Sequence, residues 1–392
     1  MDISISREKC CGCRTCVLEC PTKAINFSAD EYGFEYPIVD QNKCIQCGLC
    51  SRVCPALNPP QRDAHLRCGA ALAKDAAVLK NCSSGGLFGL FAGEIINSGG
   101  VVYGAALDQN LQLKTTAAKS ISELSPLYKS KYFLCDTDGQ FANIKDNLEK
   151  GGRVLYCSSP CQIQALNLYL KKEYPNLITA DFVCHGVGSQ ALFDKSIQYL
   201  ENKKKIKIIK YSFRSKDAND SSNYYCEYHY MKDQKENTSR TLYLYDPYYN
   251  AYQKRLACRD SCYDCHFASD KRASDITIAD FHTIDQYYPS VDRFAGVSMF
   301  VCNTEKGLDF FNQFSERLEV YDMPWSEVVR NNRFHNTEKP PKNRDMFLET
   351  LRNESFDVLV QKYLKALLSW KQIIYYHSPK FVRNIALKII KR

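Results

Sequence analysis

The pattern of apolar and polar positions predicts alternating helices and strands in the middle of the chain. Apolar residues recur at helical spacing over residues 87–96, between the small polar run Ser83-Ser84-Gly85-Gly86 and the pair Gly99-Gly100. We therefore expect a helix that begins after the first run and ends at the glycine pair. The apolar residues 101–103 follow it as a short strand.

Further along the chain, strand patterns end at residues that carry chemistry. Residues 153–156 form a strand pattern that leads to Cys161 and a helical stretch over 162–171, and the pattern over 178–183 ends at Cys184-His185-Gly186. Strand-to-helix junctions of this kind hold ligands in α/β folds. The tyrosine-rich alternating segments 224–230 and 241–245 predict antiparallel strands.

The N-terminal region repeats one cysteine pattern twice. Each copy reads C-x2-C-x2-C-x3-C-P, and the repeat ends at residues 58–61, where two prolines interrupt any helix or strand; the eight cysteines are Cys10, Cys13, Cys16, Cys20, Cys44, Cys47, Cys50 and Cys54. Paired zinc sites or a disulfide framework do not require this repeated run with its proline. The pattern predicts two four-iron, four-sulfur clusters.

The spacing also indicates which cysteines share a cluster. Three cysteines at two-residue gaps wrap one cube, and the fourth, before the proline, binds the other cluster. Cys54 therefore joins the first triplet and Cys20 the second, while Cys11 is left over. Two adjacent clusters are typical of a one-electron relay, and about 330 further residues are available for its destination.

A second constellation, C-x3-C-x2-C, consists of Cys258, Cys262 and Cys265, just before a strand pattern over 275–279. Three cysteines need a fourth ligand, and Cys184 is our first candidate, with Cys161 as the alternative. The spacing alone fits a zinc site, a third iron–sulfur cluster or a redox thiol set. The preceding cluster repeat favours the third cluster.

Composition restricts the class of protein. Twenty cysteines without a charged-then-apolar leader indicate a reducing compartment, so we expect a cytoplasmic protein. The net charge of +8 resides entirely in eight basic residues after Asp357, and the preceding body sums to zero. Because each oxidised cluster adds about −2, the loaded body is acidic, which argues against nucleic-acid binding.

The basic tail has a pattern of its own. Residues 380–392 place apolar side chains on one helical face and basic ones on the other. Such a helix packs on its own domain or on a partner, or it lies on an anionic membrane surface, here the inner membrane face. No run of about 18 apolar residues exists that could span a bilayer.

Five ordered motifs resemble one protein family. The first is Ser83-Ser84-Gly85-Gly86, and the others are Ser130-Lys131-Tyr132, Ser158-Ser159-Pro160-Cys161-Gln162, Cys184-His185-Gly186, and Cys258 to Cys265 followed by residues 273–281. In this order they resemble the coenzyme F-420 (deazaflavin) hydrogenase/dehydrogenase beta-subunit family, over about residues 65–300. Residues 1–60 look like its common ferredoxin-type companion.

The resemblance implies FAD bound in an α/β domain, with a third four-iron cluster nearby. The implied cofactor-binding residues are Ser83, Ser84, Gly85, Gly86, Lys131, Ser159, Pro160 and Gln162. A glycine-rich turn at a helix start suits a pyrophosphate, although many such turns serve capping alone. Lys131 and His185 are the catalytic candidates. Lys131 would stabilise negative charge on the cofactor or substrate, and the alternative is that it is a plain surface lysine. His185 could donate to a sulfur or a substrate, and the alternative is that it only fixes the turn.

These features predict an α+β chain that begins with a ferredoxin-type domain (1–60). A mixed α/β unit follows, with two flavin-binding regions (65–150 and 151–330), and the second region also holds the third cluster. A helical basic tail (345–392) completes the prediction. We expect an iron–sulfur flavoprotein oxidoreductase that exchanges electrons with a ferredoxin-like donor and acts on a small substrate. Polysaccharide-associated relatives suggest surface-polysaccharide synthesis as its setting. The alternatives are an electron-transfer subunit of a hydrogenase or dehydrogenase, and an interaction protein with structural zinc.

Two departures from the family pattern bear on the substrate. Ser158 stands where glycine is common, and Ala279-Asp280-Phe281-His282 replaces the commoner Gly-Asp-Phe-Trp. Both lie where the resemblance places the flavin pocket. Use of the deazaflavin coenzyme by this chain is therefore an open question.

Overall fold

The computed structural model describes residues 5–63, 65–137, 139–216, 224–292, 296–332, 334–335 and 338–366. The predicted amphipathic helix at 380–392 lies outside the described residues. No described helix has the length and apolar character needed to cross a membrane.

Thirteen strands are described. They are β1 Ile25–Ala29, β2 Glu35–Val39, β3 Arg67–Ala73, β4 Val101–Leu107, β5 Leu113–Ala118, β6 Val154–Ser158, β7 Leu177–Phe182, β8 Lys207–Lys216, β9 Tyr224–Lys232, β10 Lys235–Leu242, β11 Ile276–Asp280, β12 Ser298–Cys302 and β13 Leu318–Asp322.

Twelve α-helices are described. They are α1 Thr15–Glu19, α2 Leu49–Arg52, α3 Ala76–Asn81, α4 Leu87–Asn97, α5 Gln140–Glu149, α6 Pro160–Leu170, α7 Gln190–Lys204, α8 Pro247–Gln253, α9 Glu305–Asn312, α10 Trp325–Asn332, α11 Arg344–Asn353 and α12 Phe356–Leu359.

An eight-stranded mixed sheet forms the centre of the fold, in the order β13-β3-β12-β11-β7-β6-β4-β5. The pairs β4–β6, β6–β7 and β7–β11 are parallel, and the outer pairs are antiparallel. Strands from both predicted flavin-binding regions share this sheet, so residue 150 does not separate two sheets. The antiparallel portion predicted from the tyrosine-rich segments is the separate sheet β10-β9-β8.

Both faces of the central sheet are buried, as its alternating side chains require. Val102 and Leu155 pack with Phe91 of α4 and Phe310 of α9 on one face. Their sequence neighbours Val101 and Val154 pack with residues of α5 and α6 on the other. The parallel strands therefore lie between two helical layers, with their carboxyl ends free to hold ligands.

The predicted elements and the structure agree closely around the candidate site. Helix α4 begins after Gly86, whose φ is 90°, and ends before Gly99 and Gly100, where the Gly100 N–H donates to the Ile95 carbonyl at 2.8 Å. Helix α6 begins at Pro160, two residues earlier than predicted, because proline suits the first helical position. Strand β10 ends at Leu242, since residues 243–245 form a 3-10 turn.

The N-terminal domain packs directly on the central domain. Its helices α1 and α2 carry Cys16 and Cys50, and the other repeated cysteines lie in the segments next to these helices. Gly33 lies so close to Ala191 of α7 that a Cβ at Gly33 would come within 2.3 Å of the Ala191 Cβ. The side chain of Gln164 on α6 donates to the Asn58 carbonyl at 2.7 Å, which ties the end of the repeat to the sheet's helical layer.

Candidate redox site

The repeated cysteines form two sets, which we call the inner and outer cysteine sets. The inner set contains Cys10, Cys13, Cys16 and Cys54; burial and the thiols of Cys13 and Cys10 together raise the pKa of Cys54 to about 11. The outer set contains Cys20, Cys44, Cys47 and Cys50, which line one small cavity. Cys54 and Cys20 thus lie where the spacing placed them, each with the other triplet.

The two sets differ in exposure. Every cysteine of the inner set is only 6 or 7% exposed, and the set faces the central domain. In the outer set Cys47 is exposed, and the neighbouring Ile45 is 64% exposed. The outer set is therefore the one that a partner can approach.

A third cysteine set contains Cys184, Cys258, Cys262 and Cys265, of which Cys258 is buried and the other three are partly buried. Burial, followed by the Cys161 thiol, raises the pKa of Cys184 to about 12, and the same two causes raise the pKa of Cys265 to about 11. Cys161, in the first turn of α6, is thus a close neighbour of this set. The structure brings both proposed fourth ligands to the same place.

Gly186 gives the third set its close packing. Its φ is 109°, and a Cβ there would lie 3.1 Å from the Cys258 Sγ and 3.2 Å from the Cys262 Cβ. Its N–H points to the Cys184 Sγ at 3.4 Å. Such N–H groups stabilise thiolate ligands of iron–sulfur clusters.

A cavity between the N-terminal and central domains connects the sets. Its lining includes Cys11, Cys161, Cys184, Cys262 and Cys265. The neighbouring thiols of Cys13 and Cys161 raise the pKa of the Cys11 thiol, so the unassigned cysteine lies between the inner and third sets. Within the described ranges, no three His, Cys, Asp or Glu side chains come close enough to hold a metal ion.

A larger cavity of about 720 Å³ adjoins the cysteine cavity at the carboxyl ends of the parallel strands. Ser158 at the end of β6, Phe182 at the end of β7 and Asp280 at the end of β11 line it. Cys184, His185 and Gly186 line both cavities. Cys184 is thus the member of the third set that lies on the wall of the large cavity.

Most of the predicted cofactor-binding residues line the large cavity. Those that do are Ser83, Ser84, Gly86, Lys131, Ser159 and Gln162. Pro160 instead lines the cysteine cavity. Gly85 is absent from both linings; its N–H donates to the Ser298 Oγ at 2.9 Å, and a Cβ there would come within 2.4 Å of the Ala71 carbonyl. Gly85 therefore serves close packing of the turn against the sheet.

The glycine-rich turn is held by hydrogen bonds from two sides. The Ser83 hydroxyl accepts from the Ser130 N–H at 2.9 Å, and the Ser84 hydroxyl donates to the Val297 carbonyl at 2.9 Å. The turn is therefore fixed before any ligand arrives. The first N–H groups of α4, which have no acceptor within the helix, come from residues on the cavity wall.

Positive charge gathers on this wall. The Lys131 ammonium donates to the Pro126 and Tyr128 carbonyls at 2.8 and 2.7 Å, and burial lowers the pKa of Lys131 to about 7. Lys129 also lines the cavity, and burial lowers its pKa as well. Arg214 lines the cavity beside Asp280, with Nη1 and Oδ2 2.6 Å apart.

His185 lies at the junction of the two cavities. It is exposed, and its backbone carbonyl accepts from the Arg255 guanidinium. Arg255 lines both cavities as well. This arrangement suits either role predicted for His185, since the residue adjoins Cys184 in the turn and borders open space.

Several site residues could not be recognised from the sequence. Tyr132, Tyr249 and Tyr252 form an aromatic wall, with ring centroids 4.7 Å apart in the pairs Tyr132–Tyr249 and Tyr132–Tyr252. Arg214 comes from β8, Tyr132 from the loop before Phe133, and Tyr249 and Tyr252 from α8. No local spacing marks them, because only the fold brings them to one cavity.

Two family models match parts of the chain. Residues 9–58 match the model of the 4Fe-4S dicluster domain, and residues 151–324 match that of the C-terminal region of the coenzyme F420 hydrogenase/dehydrogenase beta subunit. No curated protein matches the sequence. Among solved structures, the chain is similar to one chain of the F420-reducing NiFe hydrogenase complex from Methanosarcina barkeri, in a xenon-derivatised structure. The sequence identity is 16% and the TM-score is 0.45, and the match covers 77% of this chain and 93% of that one.

The two family models cover the parts of the chain that carry the cysteine sets and about half of the residues that line the large cavity. The inner and outer sets fall within residues 9–58, and the third set with Cys161 falls within 151–324. The chain is thus an iron–sulfur protein with a 4Fe-4S dicluster domain, followed by a region that matches the C-terminal part of the coenzyme F420 hydrogenase/dehydrogenase beta subunit.

Proposed function

We propose that this protein is an oxidoreductase that passes electrons between a ferredoxin-like donor and an FAD in the large cavity, where a small substrate is reduced or oxidised. One observation carries the proposal. The outer, inner and third cysteine sets and the large cavity follow one another through the fold, and neighbouring members adjoin.

The inner and outer sets would each hold a four-iron cluster, and the third set would hold another. Bound clusters would supply one-electron storage at each position. The residues fit this group: each set offers four thiols, and backbone N–H groups point at the sulfurs of Cys20 and Cys184 at 3.2 and 3.4 Å. Cys161 is the alternative fourth ligand, since its thiol is a near neighbour of both Cys184 and Cys265.

Cys11 and Cys161 have a separate role in this scheme. They form the thiol contact between the inner set and the third set. In the proposed arrangement Cys184 would be the ligand of the third cluster, and Cys161 would stay a free thiol next to Cys11.

The large cavity fits a flavin nucleotide. Its volume of about 720 Å³ is in the ordinary range for a cofactor site. Helix α4 directs the positive end of its dipole to the wall, and Lys129, Lys131 and Arg214 add cations for a pyrophosphate. The tyrosine wall offers flat apolar contacts. Bound FAD would supply the exchange between one-electron and two-electron transfer.

The chain's own residues would stabilise charge, position the ligand and form the boundary of the cavity. Lys131 would stabilise negative charge on the cofactor or substrate when its amine is protonated. His185 would position a ligand at the boundary between the cavities. The Cys184 turn forms the boundary between the large cavity and the cysteine cavity.

A second candidate function is that of an electron-transfer subunit without a substrate of its own. The family's description as a beta subunit of a hydrogenase or dehydrogenase favours it. In that case the large cavity would serve a partner's reaction, and the isolated chain would reduce no small molecule.

Anaerobic reduction by reduced ferredoxin tests the proposed route, with flavin absorbance as the signal. We expect Cys47→Ala, which alters the exposed outer set, to slow flavin reduction at least tenfold. Cys226→Ala removes a buried thiol that lines neither cavity and belongs to none of the three cysteine sets, and it serves as the matched control with an unchanged rate. Equal rates in Cys47→Ala and the wild type would overturn the route.

The same preparation separates the two candidate functions. Reoxidation of the reduced isolated chain by a small substrate would support an enzyme. Reoxidation only after addition of a hydrogenase or dehydrogenase partner would support the subunit.

A further inference from the structure

Arg259 connects the third cysteine set to the inner one. It follows Cys258 directly, and its backbone N–H donates to the Val187 carbonyl at 2.9 Å, which fixes it beside the Cys184 turn. Its side chain is fully buried, with 0% exposure, and extends to the N-terminal domain. Arg259 thus adjoins the third cysteine set along the chain, and its side chain contacts the inner set.

The guanidinium contacts a thiol of the inner set. Its Nε donates to the Cys10 carbonyl at 2.6 Å, and its Nη2 lies 3.5 Å from the Cys10 Sγ and 2.8 Å from the Glu35 carbonyl oxygen. The same group stacks on the Tyr36 ring, 4.2 Å from the centroid. The contact is therefore held on several sides.

Gly12 makes room for this contact. A Cβ at Gly12 would lie 3.2 Å from the Arg259 Cζ and 2.8 Å from a methyl carbon of Leu134. The residue between Cys11 and Cys13 therefore has to be small, and the guanidinium lies over the backbone of the first cysteine loop.

The charge of Arg259 lacks a carboxylate partner. Over the described part of the chain Arg259 forms no ion pair, and the adjacent Asp260 pairs with Arg344 instead. Its buried Nη1 has no hydrogen-bond acceptor there. A buried charge is costly unless an opposite charge compensates it, and a four-iron cluster with four thiolates carries about −2.

We propose that Arg259 is a positioning residue that raises the reduction potential of the cluster held by the inner set. Burial disfavours the extra negative charge that reduction adds, so a cluster at this depth would be hard to reduce. A fixed guanidinium beside one ligand sulfur stabilises that added charge, because charge and hydrogen bonds at the sulfurs set cluster potentials. Electrons can then enter the buried inner site on their way to the cavity.

The outer set has no equivalent among the described residues. Arg52 is exposed and donates to the Cys47 carbonyl at 3.3 Å. Water can stabilise the reduced state at that exposed site. The protein therefore provides a buried cation at the site from which water is excluded.

The inference rests on the proposed inner cluster, which the dicluster family model supports independently of the flavin. An anaerobic redox titration followed by EPR tests it on the full chain. We expect Arg259→Gln to lower the equilibrium constant for reduction of the inner cluster at least tenfold, which is about 59 mV for one electron. Cys47→Ala, which perturbs the outer cluster, identifies the signal of each site.

Arg7→Gln is the matched control, because Arg7 also stacks on Tyr36, at 5.1 Å, but is 55% exposed and pairs with Asp30. The reduction potential of the inner cluster in Arg7→Gln should equal that in the wild type. Arg259→Lys keeps the charge and loses the fork of donors, so its potential should fall by a smaller amount. If Arg259→Gln fails to assemble its clusters, the reduction potential of the inner cluster in Arg259→Lys tests the inference.

An unchanged inner potential in either Arg259 variant that retains its clusters would overturn the inference. A missing flavin or a substrate that is never turned over would contradict the proposed function and leave this potential difference intact. The two failures are therefore distinguishable.

Discussion

The Arg214 guanidinium and the Asp280 carboxylate form an ion pair on the wall of the large cavity, with Nη1 and Oδ2 2.6 Å apart. Their side chains are 8% and 21% exposed. Burial alone would raise the pKa of Asp280, and the Arg214 guanidinium overcomes it and holds the pKa below its ordinary value. The pair thus fixes a cation beside the carboxyl end of β11.

Asp280→Asn should lower the free energy of unfolding by about 3 kcal/mol at pH 7, since the variant leaves Arg214 charged and buried. Anaerobic urea unfolding measures the change. Lys150→Gln removes the exposed Asp146–Lys150 pair and should cost less than about 1 kcal/mol. Equal losses in the two variants would contradict a buried role for the Arg214–Asp280 pair.

The same pair predicts a pH dependence. A carboxyl whose pKa is lower in the folded state stabilises the protein above its unfolded pKa, near 3.8, and that contribution disappears as the pH falls through the folded value. The difference in stability between the wild type and Asp280→Asn should therefore shrink as the solution is acidified below about pH 4. A difference that grows on acidification would refute this assignment.

Lys131 should make flavin binding pH-dependent. With a pKa of about 7, its amine is charged below pH 7 and neutral above it, so affinity for an anionic cofactor should fall as the pH rises from 6 to 8. Lys131→Gln should bind flavin about tenfold more weakly at pH 6, lose this pH dependence and keep its iron. Fluorescence titration of the flavin-free protein with FAD gives the dissociation constants. If Lys131→Gln keeps the pH dependence of binding, Lys131 is not the group that causes it.

Gly186→Ala should disrupt the third cysteine set. The variant adds a Cβ that would lie 3.1 Å from the Cys258 Sγ, in a backbone conformation with φ of 109°. Gly151→Ala is the matched control, because Gly151 also has a positive φ, 81°, but no heavy atom within 4 Å of the added Cβ. We expect Gly186→Ala to lose about a third of the iron and Gly151→Ala to keep it all.

The choice between Cys184 and Cys161 can be made by iron analysis. We expect Cys184→Ser to lose about four irons per chain and Cys161→Ser to keep them, because Cys161 also interacts with Cys11. Cys226→Ala, which alters none of the three cysteine sets, should retain full iron. The opposite pattern would make Cys161 the fourth ligand.

The sequence predicted those parts of the site that a short spacing encodes. The cysteine triplets, the turn before α4 and the end of β7 shortly before Cys184 are local patterns, and the structure has them where they were expected. The spacing also placed Cys54 and Cys20 with the opposite triplets, because a rigid cube restricts the reach of each loop.

The remaining parts depend on contacts between distant segments. Arg214 and the three tyrosines reach the cavity from β8, α8 and the loop before Phe133, and the Arg259 side chain contacts a cysteine 249 positions earlier. The role of Gly85 was also missed, since a glycine that binds a pyrophosphate and one that packs against Ala71 look alike in sequence. Local patterns do not specify such contacts.

The ratio of iron to acid-released flavin in anaerobically purified protein tests the central claim most directly. Three cysteine sets that lead to a flavin cavity predict about twelve irons and one FAD per chain. About eight irons without flavin would contradict the account and leave a two-cluster relay.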